Sequence, residues 1–87
     1  MQITNVRVRK FTIPEGSQSR MLGFADITID DCFVVHGIRI IRGDNDIFIS
    51  MPNRVAKNGK RYDTSHPINA ETRKMVQDAI VQAYNEV

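Results

Sequence analysis

A single cysteine, Cys32, stands among 87 residues. One thiol can form neither an internal disulfide nor a multi-cysteine zinc site, and it fits a reducing, cytoplasmic setting. No apolar run approaches the roughly 18–20 residues of a membrane span. Met1-Gln2-Ile3-Thr4-Asn5 has no basic segment leading into an apolar one, so neither a membrane protein nor a secretory signal is expected. Three prolines and five glycines, beside 41% hydrophobic and 25% charged residues, exclude collagen-like and disordered chains. There is no GxGxxG and no P-loop. A chain this short buries only about 60–65% of its unfolded surface, so one domain (1–87) that gains stability by pairing with itself is expected.

Charge is nearly balanced overall and uneven along the chain. Twelve Lys+Arg against ten Asp+Glu leave +2. Four of the twelve, Arg54, Lys57, Lys60 and Arg61, fall in one stretch without an acid, leaving eight against ten elsewhere, or −2. The positive charge is a local feature on a faintly acidic body.

Residues 1–51 read as an antiparallel meander. From Gln2 to Ile13 polar and apolar residues alternate, with Val6 and Val8 facing one way and Asn5, Arg7 and Arg9 the other. Pro14–Ser19 is a polar loop. Met21, Gly23, Ala25, Ile27 and Ile29 share a face of a second strand. Asp30-Asp31 reverses the chain into Phe33–Ile41, which is nearly all apolar and predicts a central strand. Gly43–Asp46 turns it again into Ile47–Met51. No helical crossover separates these strands, which argues against a parallel sheet.

Residues 52–66 change character. Asn58-Gly59, flanked by Val55-Ala56-Lys57 and Lys60-Arg61-Tyr62, predicts an exposed hairpin closed by a two-residue type I′ turn. His66 precedes a proline and is therefore extended. Residues 69–87 predict a helix with Asn69 as N-cap and Glu71 in its first turn. Thr72, Val76, Ala79, Ile80, Ala83 and Val87 recur at steps of three and four, forming an apolar stripe. The expected class is α+β: a meander of four or more strands, a basic β-hairpin arm and a C-terminal amphipathic helix.

Cations at a hairpin tip can approach a phosphate backbone, and Tyr62 beside them can stack on a base. The plainer reading is that they keep a peripheral hairpin soluble. Arg73 and Lys74 oppose the helix dipole, and an Lys74–Asp78 pair explains that placement more simply than a bound anion. Arg7, Arg9 and Lys10 are accounted for by a solvated outer face. Cys32 and His36 lie four apart on one strand, about 13 Å, too far to share a metal or form a dyad, and nothing in the sequence suggests the remaining pairing of Cys32 with His66. Cys32 reads as a small apolar filler and His36 as a strand histidine bonded to a neighbour. Turn chemistry accounts for Asp30, Asp31, Asp44 and Asp46, and Asp44-Asn45-Asp46 lacks the ligand series of an EF-hand. No catalytic set, metal site, cofactor or small-molecule substrate is expected.

Asn5-Val6-Arg7-Val8-Arg9, Ala25–Asp30, Phe33–Ile41, Phe48-Ile49-Ser50-Met51-Pro52 and His66-Pro67-Ile68-Asn69, in this order over nearly the whole chain, resemble the SpoVG family of stage V sporulation or septation proteins. The resemblance implies a small bacterial α+β homodimer that binds preferred DNA sites and, in some members, RNA. It is linked to gene regulation, septation and sporulation. Basic residues just after the Met-Pro pair carry binding in that family, which transfers to Arg54 but not to Val55, where a second cation is usual. The loop Pro14–Ser19 is longer than the family's turn, and Lys57, Lys60 and Arg61 stand where members often have Pro, Glu and an aromatic residue. The acidic tail of many members is not seen, which favours binding.

The sequence therefore leads to a non-enzymatic, dimeric nucleic-acid-binding regulator. Arg54, Lys57, Lys60, Arg61 and Tyr62 are its expected contact residues, extended by Arg73 and Lys74. Strands or the stripe Val76, Ile80 and Val87 are its expected dimer interface. The alternative is a protein-interaction adaptor of the division or regulatory machinery, its basic arm reading an acidic partner.

Overall fold

The alternation that predicts strands also sets their pairing. In the computed structural model, which describes residues 1–12, 16 and 20–87, β1 (Ile3–Lys10), β2 (Met21–Ile29), β3 (Phe33–Arg42) and β4 (Ile47–Ser50) form one antiparallel sheet in sequential order. The expected strand end at Ile13 and most of the loop Pro14–Ser19 lie outside the described residues. Register places Val6 opposite Ile27, Val8 opposite Ala25, Ala25 opposite Ile38, and Ile40 opposite Ile49. Directly paired residues point to the same side, so these side chains share the inner face.

The reversal between β2 and β3 uses two successive left-handed residues, Asp30 (φ 51°) and Asp31 (φ 56°). Aspartate tolerates this region better than most residues. Here Asp30 Oδ1 also accepts from the Gln2 N–H at 2.8 Å, and Thr4 Oγ1 accepts from the Asp31 N–H at 3.0 Å. Cys32 sits at this turn and is exposed, not the apolar filler its composition class suggests. The turn points it outward, beyond the end of the core.

β3 departs from the uniform central strand its apolar content predicts. Only Arg39–Arg42 pair with β4, so the first half of β3 has β2 on one side and no strand on the other among the described residues. Phe33 and Val34 are consequently 62% and 45% exposed. Midway, Ile27 faces Val35 while Ala25 faces Ile38, so β3 carries one extra residue in a bulge at His36-Gly37. Gly37 has φ 77° and donates its N–H to Asp26 Oδ1 at 3.2 Å.

Helix α1 (Ala70–Glu86) covers the inner face of the sheet and packs chiefly on β1 and β4. Asn69 caps it as expected, its Oδ1 accepting from the Thr72 N–H at 2.7 Å. Asn69→Ala is expected to lower stability by about 1 kcal/mol, read from the urea midpoint. At the other end Lys10 donates from Nζ to the main-chain oxygen of Val87 at 2.8 Å and lies 4.3 Å from the centre of the Tyr84 ring. Lys10 therefore belongs to the helix contact and not to an outer basic cluster.

The core comprises Leu22, Ala25, Ile27, Ile38, Ile40, Ile49, Met51, Val76 and Ile80. This corrects the expected dimer stripe. Val76 and Ile80 are 2% and 0% exposed within a single chain, spent on its own sheet, and only Val87, 68% exposed, remains free for a neighbour.

Candidate nucleic-acid interface

After β4 the chain is held to the core by Met51, 5% exposed, and then leaves it. β5 (Asn53–Val55) and β6 (Arg61–Asp63) form a separate two-stranded sheet, the hairpin arm. Its base is tied down twice. The N–H and the hydroxyl of Thr64 both donate to the Pro52 carbonyl, at 2.7 and 3.1 Å, and Asn53 Nδ2 donates to the Met51 carbonyl at 3.0 Å.

The tip differs from the turn that Asn-Gly predicts. Val55 pairs with Arg61, the Ala56 N–H donates to Lys60 O at 2.8 Å, and the Gly59 N–H donates to Ala56 O at 2.9 Å. The loop is therefore the three residues Lys57-Asn58-Gly59, of which only Gly59 is left-handed (φ 82°). A three-residue loop that ends in a left-handed glycine is the next commonest hairpin closure. Asn58 selects it with its side chain: Oδ1 accepts from the Lys60 N–H at 3.0 Å, and Nδ2 donates to the Tyr62 hydroxyl at 3.2 Å.

Register divides the arm's cations between two faces. Arg54 lies opposite Tyr62, so the two share a face, and Lys60 alternates onto it. Arg61 shares the other face with Val55 and Asn53, and its guanidinium donates to Asn53 Oδ1 at 3.2 Å. Lys57 is at the tip. All four cations are exposed, as is Tyr62 at 49%, and none forms an ion pair among the described residues. Asn53, Asn58 and Thr64, which position these groups, were not identifiable as such from the sequence. Asn58 alone carried a signal, as a turn former.

The remaining expected contacts separate from the arm. Arg73 is exposed at the start of α1 and is bordered by His66, Pro67 and Ile68 in a shallow depression. Lys74 pairs with Asp78 at 2.6 Å, the simpler of its two readings. Both stand on the helix, which packs chiefly on β1 and β4. His36 Nδ1 lies 3.3 Å from Oδ1 of its strand neighbour Asp26. Among the described residues no group of three His, Cys, Asp or Glu side chains could hold a metal ion, and no helix is long and apolar enough to cross a membrane.

The SpoVG family profile matches residues 1–86. The chain belongs to the SpoVG family. A SpoVG relative from Caldicellulosiruptor bescii is 48% identical over all 87 residues, covering 94% of that protein. One from Clostridioides difficile is 48% identical over 86 residues, covering 99% of this chain and 89% of its own, and one from Acholeplasma laidlawii is 46% identical over 86. All three carry names that couple SpoVG with septation. In this SpoVG chain the arm between Pro52 and Thr64 forms its own small sheet and carries four cations without an ion pair among the described residues.

Proposed function

We propose that this SpoVG protein is a dimeric nucleic-acid-binding regulator whose hairpin arm contacts phosphates, acting in septation as the names of its relatives indicate. One observation carries the reading: Arg54, Lys57, Lys60 and Arg61 project from a braced hairpin with no carboxylate paired to them among the described residues. Cations that are already exposed and uncompensated give up little on meeting a polyanion, whereas paired ones must first lose a partner. Tyr62, held by Asn58 on the face of Arg54 and Lys60, adds a surface for stacking on a base or sugar. Arg73 extends the track more readily than Lys74, which Asp78 occupies.

The test is an electrophoretic shift at low salt with DNA and RNA probes, duplex and single-stranded. The native protein is expected to shift them. Lys57→Ala/Lys60→Ala/Arg61→Ala is expected to bind duplex at least tenfold more weakly at unchanged stability, since each substitution is on the surface and costs at most about 0.5 kcal/mol. Undiminished binding by the folded variant contradicts the arm's role.

With Val76 and Ile80 internal, the reading places the second copy on the open half of β3. There Phe33 and Val34 are exposed, the backbone has no partner strand on that side among the described residues, and an apolar hollow lined by Ile29, Phe33, Val35 and Met51 adjoins. A free strand edge beside apolar side chains suits addition of a strand from a twin. Phe33→Lys is expected to sediment as a monomer where the native protein sediments as a dimer. An unaltered dimer moves the interface elsewhere.

A further inference from the structure

The helix covers one face of the four-stranded sheet, and among the described residues no element covers the other. Register places Arg9 opposite Phe24, Phe24 opposite Arg39, and Arg39 opposite Ser50, so one row across all four strands reads Arg-Phe-Arg-Ser on the uncovered side. Phe24 thus has a guanidinium-bearing neighbour on each flanking strand, at the roughly 4.5–5.5 Å Cβ separation of directly opposed residues. Phe11 meets Phe24 edge to face, ring centres 5.1 Å apart, and is itself 41% exposed. Phe48, 42% exposed, lies two residues along β4 from Ser50 on the same side.

Charge on this face is one-sided. The described strand residues pointing outward include Arg7, Arg9 and Arg39 and a single acid, Asp26. Asp26 is sunk beneath them. Its side chain is 13% exposed, and its Oδ1 accepts from the Gly37 N–H of the bulge and faces His36 at 3.3 Å and Arg9 at 3.9 Å. The Arg9 side chain above it is 65% exposed. The carboxylate is consumed locally, and the arginines are what a ligand meets.

We propose that this open sheet face is a second binding surface, for single-stranded nucleic acid. Bases stack on Phe24 and Phe11, and Arg9 and Arg39 hold the flanking phosphates. A sheet face carrying a half-buried Phe24 between two arginines, with the exposed Phe11 against it, offers both halves of single-strand recognition, a π platform and a cationic track. A duplex has its bases buried in the stack and gains nothing from the platform. A second copy is disfavoured as occupant, because apposing two such faces brings six arginines together against two acids that are already bonded. The surface is separate from the hairpin arm and does not depend on the arm's role.

The experiment compares native protein, Phe24→Leu, Arg9→Gln/Arg39→Gln and the arm triple variant. Each is titrated by fluorescence anisotropy with a dye-labelled twelve-residue oligo-dT, the RNA oligo-U of equal length, a duplex, and inorganic polyphosphate. Phe24→Leu is expected to weaken oligo-dT and oligo-U binding by about fivefold or more while leaving polyphosphate binding unchanged. The arginine variant is expected to lower the log–log salt slope for the oligonucleotides by about 0.7 per arginine. The arm triple variant is expected to lose duplex binding and retain single strands, so failure of either surface is read separately. Arg9 is exposed and Arg39 half-buried, neither in the core, so the arginine variant keeps the test open where Phe24→Leu disturbs packing. Unchanged oligonucleotide binding in the folded arginine variant overturns the proposal, as does an altered sedimentation coefficient in that variant with oligonucleotide affinity intact.

Discussion

Raising monovalent salt from 50 to 200 mM is expected to weaken duplex binding steeply, and the arm variant is expected to have lost most of that steepness. Each phosphate neutralised on B-DNA releases condensed counterions and contributes about −0.9 to the slope of log K against log salt. Arg54, Lys57, Lys60 and Arg61 acting together give a slope of about −3.6 per arm, so a fourfold rise in salt reduces affinity by about 150-fold, and two arms engaged at once approach −7. Their exposure without paired carboxylates among the described residues makes this full count the expectation. Removing Lys57, Lys60 and Arg61 leaves Arg54 alone on the arm and a slope near −0.9 per copy. Nitrocellulose filter binding across a salt series measures both. A native slope shallower than about −1 means that the arm does not sit on phosphates.

Gly23→Ala is expected to be the most damaging single methyl group that the described sheet can receive. A Cβ at Gly23 runs into the carbonyl oxygen of Arg9 and falls 3.1 Å from the Arg9 carbonyl carbon and the Lys10 Cα. These are main-chain atoms of the paired strand, which no rotamer change can move. β1 has to separate from β2 where Lys10 faces Gly23 and where the Phe11 N–H donates to Leu22 O at 2.9 Å. Parting them also disturbs the fastening of Lys10 to Val87 and Tyr84, and with it the seat of the helix. The cost is expected to be about 3 kcal/mol or more. Gly37→Ala makes the useful contrast. Its Cβ meets nothing within 4 Å, but φ 77° is strained for any L residue, at about 1–2 kcal/mol. Urea denaturation of the two variants is expected to rank Gly23→Ala well below Gly37→Ala, and the reverse order shows that β1 and β2 yield more easily than their register implies.

Much of this fold was legible because its signals are local. The alternation about Val6 and Val8, the two aspartates at the first reversal and Asn69 before an apolar stripe each act through the residues beside them, and each appears where the pattern places it. What the sequence could not show depends on partners distant in the chain. The apolar run Phe33–Ile41 looks uniformly central, yet β4 is only four residues long and covers only the far end of β3. Val76 and Ile80 make the same periodic stripe whether it meets the chain's own sheet or a twin, and only packing reveals that it is internal. Asn-Gly marks a hairpin reliably but not its closure, because two- and three-residue loops both accept it, and the choice here follows the Asn58 side-chain bonds. The basic arm was legible from charge clustering alone. The Arg9–Phe24–Arg39 row was not, because its members come from three strands and meet only through register.

The most direct measurement is an amide-resolved NMR titration of the native protein with a short DNA duplex at low salt. Shifts are expected to concentrate in residues 53–63 and to leave α1 unchanged beyond its first turn. Shifts that spare the arm while the protein binds the duplex would contradict it.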